Sequence, residues 1–414
     1  MPSASHPAQA ARQPGTGKAA SLVILLFCQV CAMSVWFASA AAVATIKQTV
    51  TLTSWQEALL TSSVQAGFVA GTIVSALLGL ADRFDPRRLF MISAWVAAGA
   101  TLLLVVCPPA GAPVYVLRFL TGMCMAGVYP VGMRLAATWA NRDLGLLIGL
   151  LVGALTLGSA SPHLLAAFGG MQWTSVYLAA GALAAVAGLA INFCGVGPAM
   201  TRAVRLNPAA VAQAWRQRPL RLANLGYLGH MWELYAMWAW LAVFLQFSFE
   251  ASGAAQPRLA AERITFIAIG AGAVGAWAGG WFADRYGRTA VTTIAMLISA
   301  SCAATIGWTA GAPMGVVATI AVVWGISAIA DSAQFSASIA ELGAPDSIGT
   351  LLTAQTCAGF LLTLVSIHLV PPVQAALGWP GAFGMLAIGP AIGCVMMLRL
   401  RGDPASLRMA NGRR

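Results

Sequence analysis

A helix needs about 20 apolar residues to cross the hydrocarbon core of a bilayer, and this chain supplies such runs along nearly its whole length. They fall at about 21–45, 56–80, 89–107, 114–138, 144–167 and 173–195, then at 221–247, 262–283, 290–309, 315–340, 348–370 and 380–398. The expectation is an all-α membrane protein of about twelve transmembrane helices in two groups of six. Composition agrees: 59% of residues are hydrophobic and 8% charged, where a soluble domain carries roughly 25% charged residues. The net charge of +11 is spread over short loops, which is not the clustered footprint of a nucleic-acid binder. Eight cysteines lie inside apolar runs and read as small hydrophobes rather than a disulfide framework.

Between the groups, 196–220 holds Arg202, Arg205, Arg216 and Arg218 with prolines and an asparagine, and reads as a linker between halves at 21–195 and 221–399. Residues 1–20 read as a disordered tail and 400–414 as a basic one. The run from Ala20 is too long, and lacks the cleavage pattern, for a removed signal peptide. Lysine and arginine bias sets orientation. One set of loops carries Lys18, Arg83, Arg87, Arg88, Arg142, the linker arginines, Arg285 and Arg288; the other carries only Lys47, Arg258 and Arg263. Both termini are therefore expected in the cytoplasm, in the inner membrane of a bacterium, which an even helix count permits.

Two short stretches repeat. Gly280–Arg288 reads GWFADRYGR, and Gly79–Arg88 reads GLADRFDPRR, with Asp82 and Asp284 about 200 residues apart. That spacing points to one unit used twice. The pattern G-x-x-x-D-R-x-G-R resembles the loop between the second and third helices of the major facilitator superfamily (MFS), repeated there between helices eight and nine. Gly280, Asp284, Arg285, Gly287 and Arg288 all match; the first copy has its glycine one place late and Asp85–Pro86 for the inner glycine. The resemblance implies two six-helix halves around a midplane site, alternating access, and a cytoplasmic gate built from Asp82, Arg83, Arg87, Asp284, Arg285 and Arg288. Plain interfacial anchoring accounts for the arginines but not for the repeated Asp-Arg order. Glycines spaced as Gly67-x-x-x-Gly71 and Gly275-x-x-x-Gly279 let helix backbones approach closely.

Ionisable residues inside a bilayer are costly and usually face a cavity or a partner. Those that stand out are Arg118, His163, His230, Glu233 and Asp331. In the family helices one, four, seven and ten line the cavity, and Arg118, then His230 with Glu233, then Asp331 fall on four, seven and ten. On helix seven His230, Glu233, Met237, Trp240 and Phe244 share one stripe at about 100° per residue. On helix ten Trp324, Ser327, Asp331, Gln334, Ser338 and Glu341 share another; Gln334 and Ser327 are expected beside Asp331, and Glu341 at a gate. Glu233 and Asp331 are candidates to carry a proton or hold substrate; the alternative is a structural partnership, Glu233 with His230 or an arginine. Arg118-x-x-x-Gly122 resembles the family's second motif, which implies proton coupling, with Met125 and Tyr129 on the same face; the alternative is an arginine capping carbonyls. Helix one offers two faces, Gln29 with Met33 and Trp36, or Cys28 with Cys31, and the first is expected to face the cavity. His163 reads as a satisfied interior histidine. Gly149, Gly153, Gly158 and Pro162 resemble a degraded antiporter motif lacking its final G-P, which counts against export.

No phosphate-binding loop or catalytic triad pattern is present, so an enzyme is not expected, nor a cofactor. The function expected is a proton-coupled, monomeric secondary transporter of a small organic solute, with Trp36, Tyr129, Trp240 and Trp324 around one arginine and two acids. A multidrug or metabolite antiporter is one alternative. A soft-metal importer using Cys28, Cys31, His230, Met231 and Met237 is another, and a transporter-shaped sensor a third. A nitrate-type carrier is disfavoured, because helices two and eight have no interior arginine.

Overall fold

A computed structural model of the chain describes residues 17–141, 143–168, 172–199 and 207–414. The side chain of Asp82 and all of Arg142, Arg202 and Arg205 lie outside the described residues, as does the tail before Gly17. Within them the protein is all helix and turn. Eleven helices are long and apolar enough to cross a membrane. They are α1 Lys18–Thr49, α2 Ser54–Leu78, α3 Pro86–Val106, α4 Ala112–Ala137, α5 Gly145–Phe168, α6 Trp173–Phe193, α7 Arg218–Ala251, α8 Pro257–Tyr286, α9 Arg288–Thr309, α10 Met314–Leu342, and a last one over Pro345–Arg401. The continuous part of that last one has 54 residues. At 1.5 Å per residue it would be about 80 Å long, far more than a bilayer core. Gly378 breaks it with a φ of 68°. Two spans, α11 over 348–377 and α12 over 379–401, bring the total to the expected twelve.

An even count puts the start of α1 and the end of α12 on one face, here called the terminal face; loops such as 50–53 and 252–256 lie on the opposite face. Helix ends follow local chemistry. Thr53 and Gln56 form a capping box that starts α2, satisfying two of the amide groups a helix start leaves free. Gly79, at a φ of 62°, closes α2, and Asp85 caps α3 with Pro86 in its first turn. α1 begins at Lys18, inside the stretch read as tail. The linker stretch contains a helix of its own, Pro208–Arg216, capped by Asn207, and the first residues of α7. Two of the prolines that argue against a span there, Pro208 and Pro219, sit in first turns, where a missing N–H costs nothing.

Close helix contacts use the expected glycines. A side chain at Gly67 or Gly71 would run into the α4 backbone at Phe119 or Met123, and one at Gly275 or Gly279 into the α10 backbone at Ile326 or Ala330. The two halves meet along two flanks, α5 against α8 and α2 against α11.

Candidate functional site

Three helices in the middle of the bundle are broken. α1 leaves helical form at 34–37, α4 at 126–128, and α10 at Asp331. A break strands backbone carbonyls in a medium with no water. In α1 the remedy is Arg118. It is fully buried and donates to the carbonyls of Val35 at 2.8 Å, of Leu60 at 3.2 Å, and of Trp36. A guanidinium carries five N–H donors in a fixed fork, enough to serve two helices from a third. Arg118 is thus the carbonyl cap of the α1 break, and among the described residues it has no ion pair with an acid. The one arginine expected beside Glu233 and Asp331 in a shared cavity makes no ion pair with either.

The acids sit inside the C-terminal half. Glu233 Oε1 accepts from Trp324 Nε1 at 2.6 Å and its Oε2 from Ser299 Oγ at 2.7 Å. His230 Nδ1 lies 2.9 Å from Asp331 Oδ1, and all three ionisable groups are 2% exposed. The predicted α7 stripe therefore exists, but it turns mostly to its own half: Glu233 meets α9 and α10, and Phe244 packs on Trp379 and Phe383 of α12, while Trp240 donates to Ile367 of α11 and also borders a small gap lined by Val43 of α1 and Thr61 of α2. Met237 is fully buried on the same stripe. Periodicity tells which residues share a face, not which neighbour the face meets, and α7 is buried nearly all round.

The face of α7 that meets the N-terminal half carries Tyr235 and Trp238. Phe37 packs on Tyr235 at 5.9 Å between centroids and on Trp238 at 5.4 Å. Trp36 lies 6.2 Å from Tyr235 and 5.7 Å from Phe360 of α11, and Phe68 of α2 lies 4.6 Å from Phe360. These six rings, each near the middle of its helix, form a layer between the halves. Trp36 Nε1, Trp238 Nε1 and both amide atoms of Gln65 are buried and have no hydrogen-bond partner among the described residues. Gln65 shares the Phe68 face of α2.

Other predicted residues are distributed differently. Gln29 is buried against Gly132 of α4, inside its own half. Tyr129 opens the second segment of α4. Ser327 bonds back to its own helix at Val323 and Trp324, as hydroxyls in helices do. Gln334 meets Asp331 through its backbone, the N–H donating to the Asp331 carbonyl at 2.9 Å, whereas its side-chain Oε1 accepts from Arg288 at 2.8 Å. Arg288 also grips Glu341 with two bonds of 2.7 and 2.6 Å, and lies 3.6 Å from Asp284. Arg285 stands over the rings of Trp281 and Tyr286. Gly287 turns α8 into α9 at a φ of 99°, a backbone only glycine adopts freely; Gly280 is unobstructed. The segment after α12 closes over this cluster: Arg413 donates to the Asp284 carbonyl and the Ala410 N–H to Glu341. In the first copy Arg87 pairs with Asp85 at 2.8 Å, and Arg83 is exposed.

The soft-metal ligand types are not assembled. Cys28 and Cys31 are buried on α1, which packs on α6, whereas His230 faces Asp331 of α10 in the other half. Among the described residues no group of three His, Cys, Asp or Glu is placed to hold a metal.

Two groups, Glu262 and the half-buried His368, escape a reading of the sequence. His163 of α5 sits 2.6 Å from Glu262 of α8, a buried pair joining the halves near the opposite face. The signal is weak because Glu262 stands at the edge of its apolar run. His368 of α11 bonds with Ser62 of α2 at 2.9 Å; an ionisable residue within a long apolar run is the one clue to it.

The family model of the Major Facilitator Superfamily matches residues 25–367. No curated protein sequence matches the chain. Among solved structures, a crystal structure of the nucleoside transporter NupG resembles it with a TM-score of 0.72, covering 93% of this chain and 100% of that one at 15% identity. Likeness at that identity is one of fold.

Proposed function

Because the chain belongs to the Major Facilitator Superfamily, a family of multi-pass membrane transporters of small solutes, we propose that it works by alternating access coupled to protons through Glu233, Asp331 and His230. The observation that carries this reading is the Glu233 geometry. An indole N–H is a donor only, whereas a serine hydroxyl can donate or accept. A proton on Glu233 therefore belongs on Oε2, with Ser299 turned to accept it and Oε1 still held by Trp324. One hydroxyl rotation adapts the site to either charge state. α7 would transmit the change, since it carries Glu233 on one face and Tyr235 and Trp238 on the other.

The solute would bind in the aromatic layer. Stacked rings with unpaired indole N–H groups and a free amide suit a planar, uncharged, hydrogen-bonding solute. A nucleoside, the kind of solute that NupG transports, carries a base of this kind. By lysine and arginine bias the terminal face is the cytoplasmic one, in a bacterial inner membrane, with the Arg288–Glu341 cluster as a gate on that side; the carrier is read as a monomer. Arg118 enters as support for the α1 break that presents Trp36 and Phe37.

The test is proton flux in proteoliposomes challenged with planar aromatic and aliphatic solutes. Flux driven by a planar solute in wild type, and lost in Glu233→Gln and Asp331→Asn, supports the reading. Equal flux in all three removes it.

A further inference from the structure

The flank where α2 meets α11 carries a feature that the transport reading does not use. Toward the opposite face these helices and the start of α4 part to leave a groove of about 980 Å³. Leu59, Ala66, Phe119, Leu364 and Leu369 are among the apolar residues that wall it. Trp55, Val116 and Val365, also on its walls, are exposed, so the groove opens sideways at the depth of the hydrocarbon. Its polar groups are few and specific. Ser62 Oγ lies 2.9 Å from His368 Nε2, and the Trp55 indole covers the imidazole at 4.1 Å between centroids. His368 Nδ1 and Tyr115 Oη are covered and have no hydrogen-bond partner among the described residues.

We infer that this groove binds an uncharged amphiphile drawn from the bilayer, a hydrocarbon chain or ring system bearing a hydroxyl that meets His368 Nδ1. The surroundings decide the class. Hydrocarbon lies outside the mouth, so a charged solute cannot approach at acceptable cost, while apolar walls with one or two convergent polar groups are the usual make-up of a small-molecule site. The imidazole decides the polar group. When Ser62 donates to Nε2, Nδ1 carries the hydrogen and donates; when Nε2 donates to Ser62, Nδ1 accepts. A hydroxyl satisfies both cases, and a bare hydrocarbon satisfies neither. Because α2 and α11 belong to different halves, the occupant touches both.

The test uses the full chain in lipid nanodiscs with two photoreactive probes of equal chain length, a long-chain alcohol and the matching hydrocarbon. The alcohol is expected to label the α2 and α11 groove peptides several-fold more than the hydrocarbon does. Exposed α8 positions such as Val274 and Trp277 should take both equally. Ala66→Phe, which narrows the groove, should reduce groove labelling by the alcohol several-fold. His368→Phe should leave a groove that no longer prefers the alcohol, and this ratio decides the matter should Ala66→Phe fail to fold. Equal labelling of the groove by both probes in wild type overturns the inference, as does an alcohol preference that survives His368→Phe.

Discussion

Apart from the His163–Glu262 pair that joins them, the two halves bury charge in opposite ways. The N-terminal half buries one guanidinium, Arg118, and spends its donors on the carbonyls of Val35, Trp36 and Leu60. The C-terminal half buries two carboxylates and an imidazole, with Glu233 held by a hydroxyl and an indole and Asp331 by His230. A guanidinium keeps its proton under all ordinary conditions, and what Arg118 supplies to the interior is donors for backbone carbonyls. Carboxylates and imidazole exchange theirs. The same contrast recurs at the terminal face. Arg87 finds its partner two residues away at Asp85, whereas Arg288 joins α8, α9 and α10 through Asp284, Gln334 and Glu341. An ionisable residue at membrane depth therefore says little about its role until its donors and acceptors are matched.

The largest expected effect is on the architectural side. Arg118→Met leaves the Val35 and Trp36 carbonyls of the α1 break without their donor, at about 1–3 kcal/mol for each buried group, and should sharply lower both the yield and the thermal unfolding temperature in detergent. A variant that folds normally but does not transport would break the contrast and return Arg118 to the coupling machinery. Glu233→Gln should do the reverse. Its amide keeps an acceptor for Trp324 and a donor for Ser299, so unfolding should shift little while coupled flux falls about tenfold or more, a barrier change above roughly 1.4 kcal/mol. Next comes the latch: Arg288→Gln is expected to cost about 1.5–3 kcal/mol, the range for hydrogen bonds to charged groups, and clearly more than Arg87→Gln, measured by thermal unfolding side by side. Tyr235→Ala should raise the KM for a planar solute by up to about tenfold, since a ring pair contributes about 0.5–1.5 kcal/mol, and leave aliphatic controls unchanged.

The smallest effect depends on pH. The hydrogen bond from the Arg87 side chain holds the Asp85 carboxyl below the usual carboxylate range. A lowered native value means that the stabilisation is complete above the ordinary carboxylate pKa and is lost as pH falls through the lowered one. Asp85→Ala should thus cost up to about 1 kcal/mol near neutral pH, the scale of a helix cap, with the gap to wild type narrowing in acid and in high salt.

Much of this is legible in the sequence. Run length yields twelve spans, and the repeated Asp-Arg loop yields two halves and the family. His230, Glu233 and Asp331 can be singled out because charge is rare in lipid. Which way they point is not legible: a stripe on α7 looks the same whether it meets α1 or α10. The aromatic layer is only half visible. Trp36 can be anticipated, but Phe37, Tyr235 and Trp238 do not stand out, because rings in an apolar run carry no signal of depth or partner. Arg118 is visible as unusual, yet two of its three acceptors belong to a helix break that apolar runs do not mark.

The cross-half pair of His163 and Glu262 gives the molecule a handedness in its mechanics. Its flank, α5 on α8, is bolted by that pair near the opposite face; the other flank, α2 on α11, is fastened there by the Ser62–His368 bond and is already parted by a groove. If the halves move as proposed, joints this unequal would make the α5–α8 side the hinge post and the α2–α11 side the free edge, with the first gap toward the opposite face opening sideways, facing the lipid.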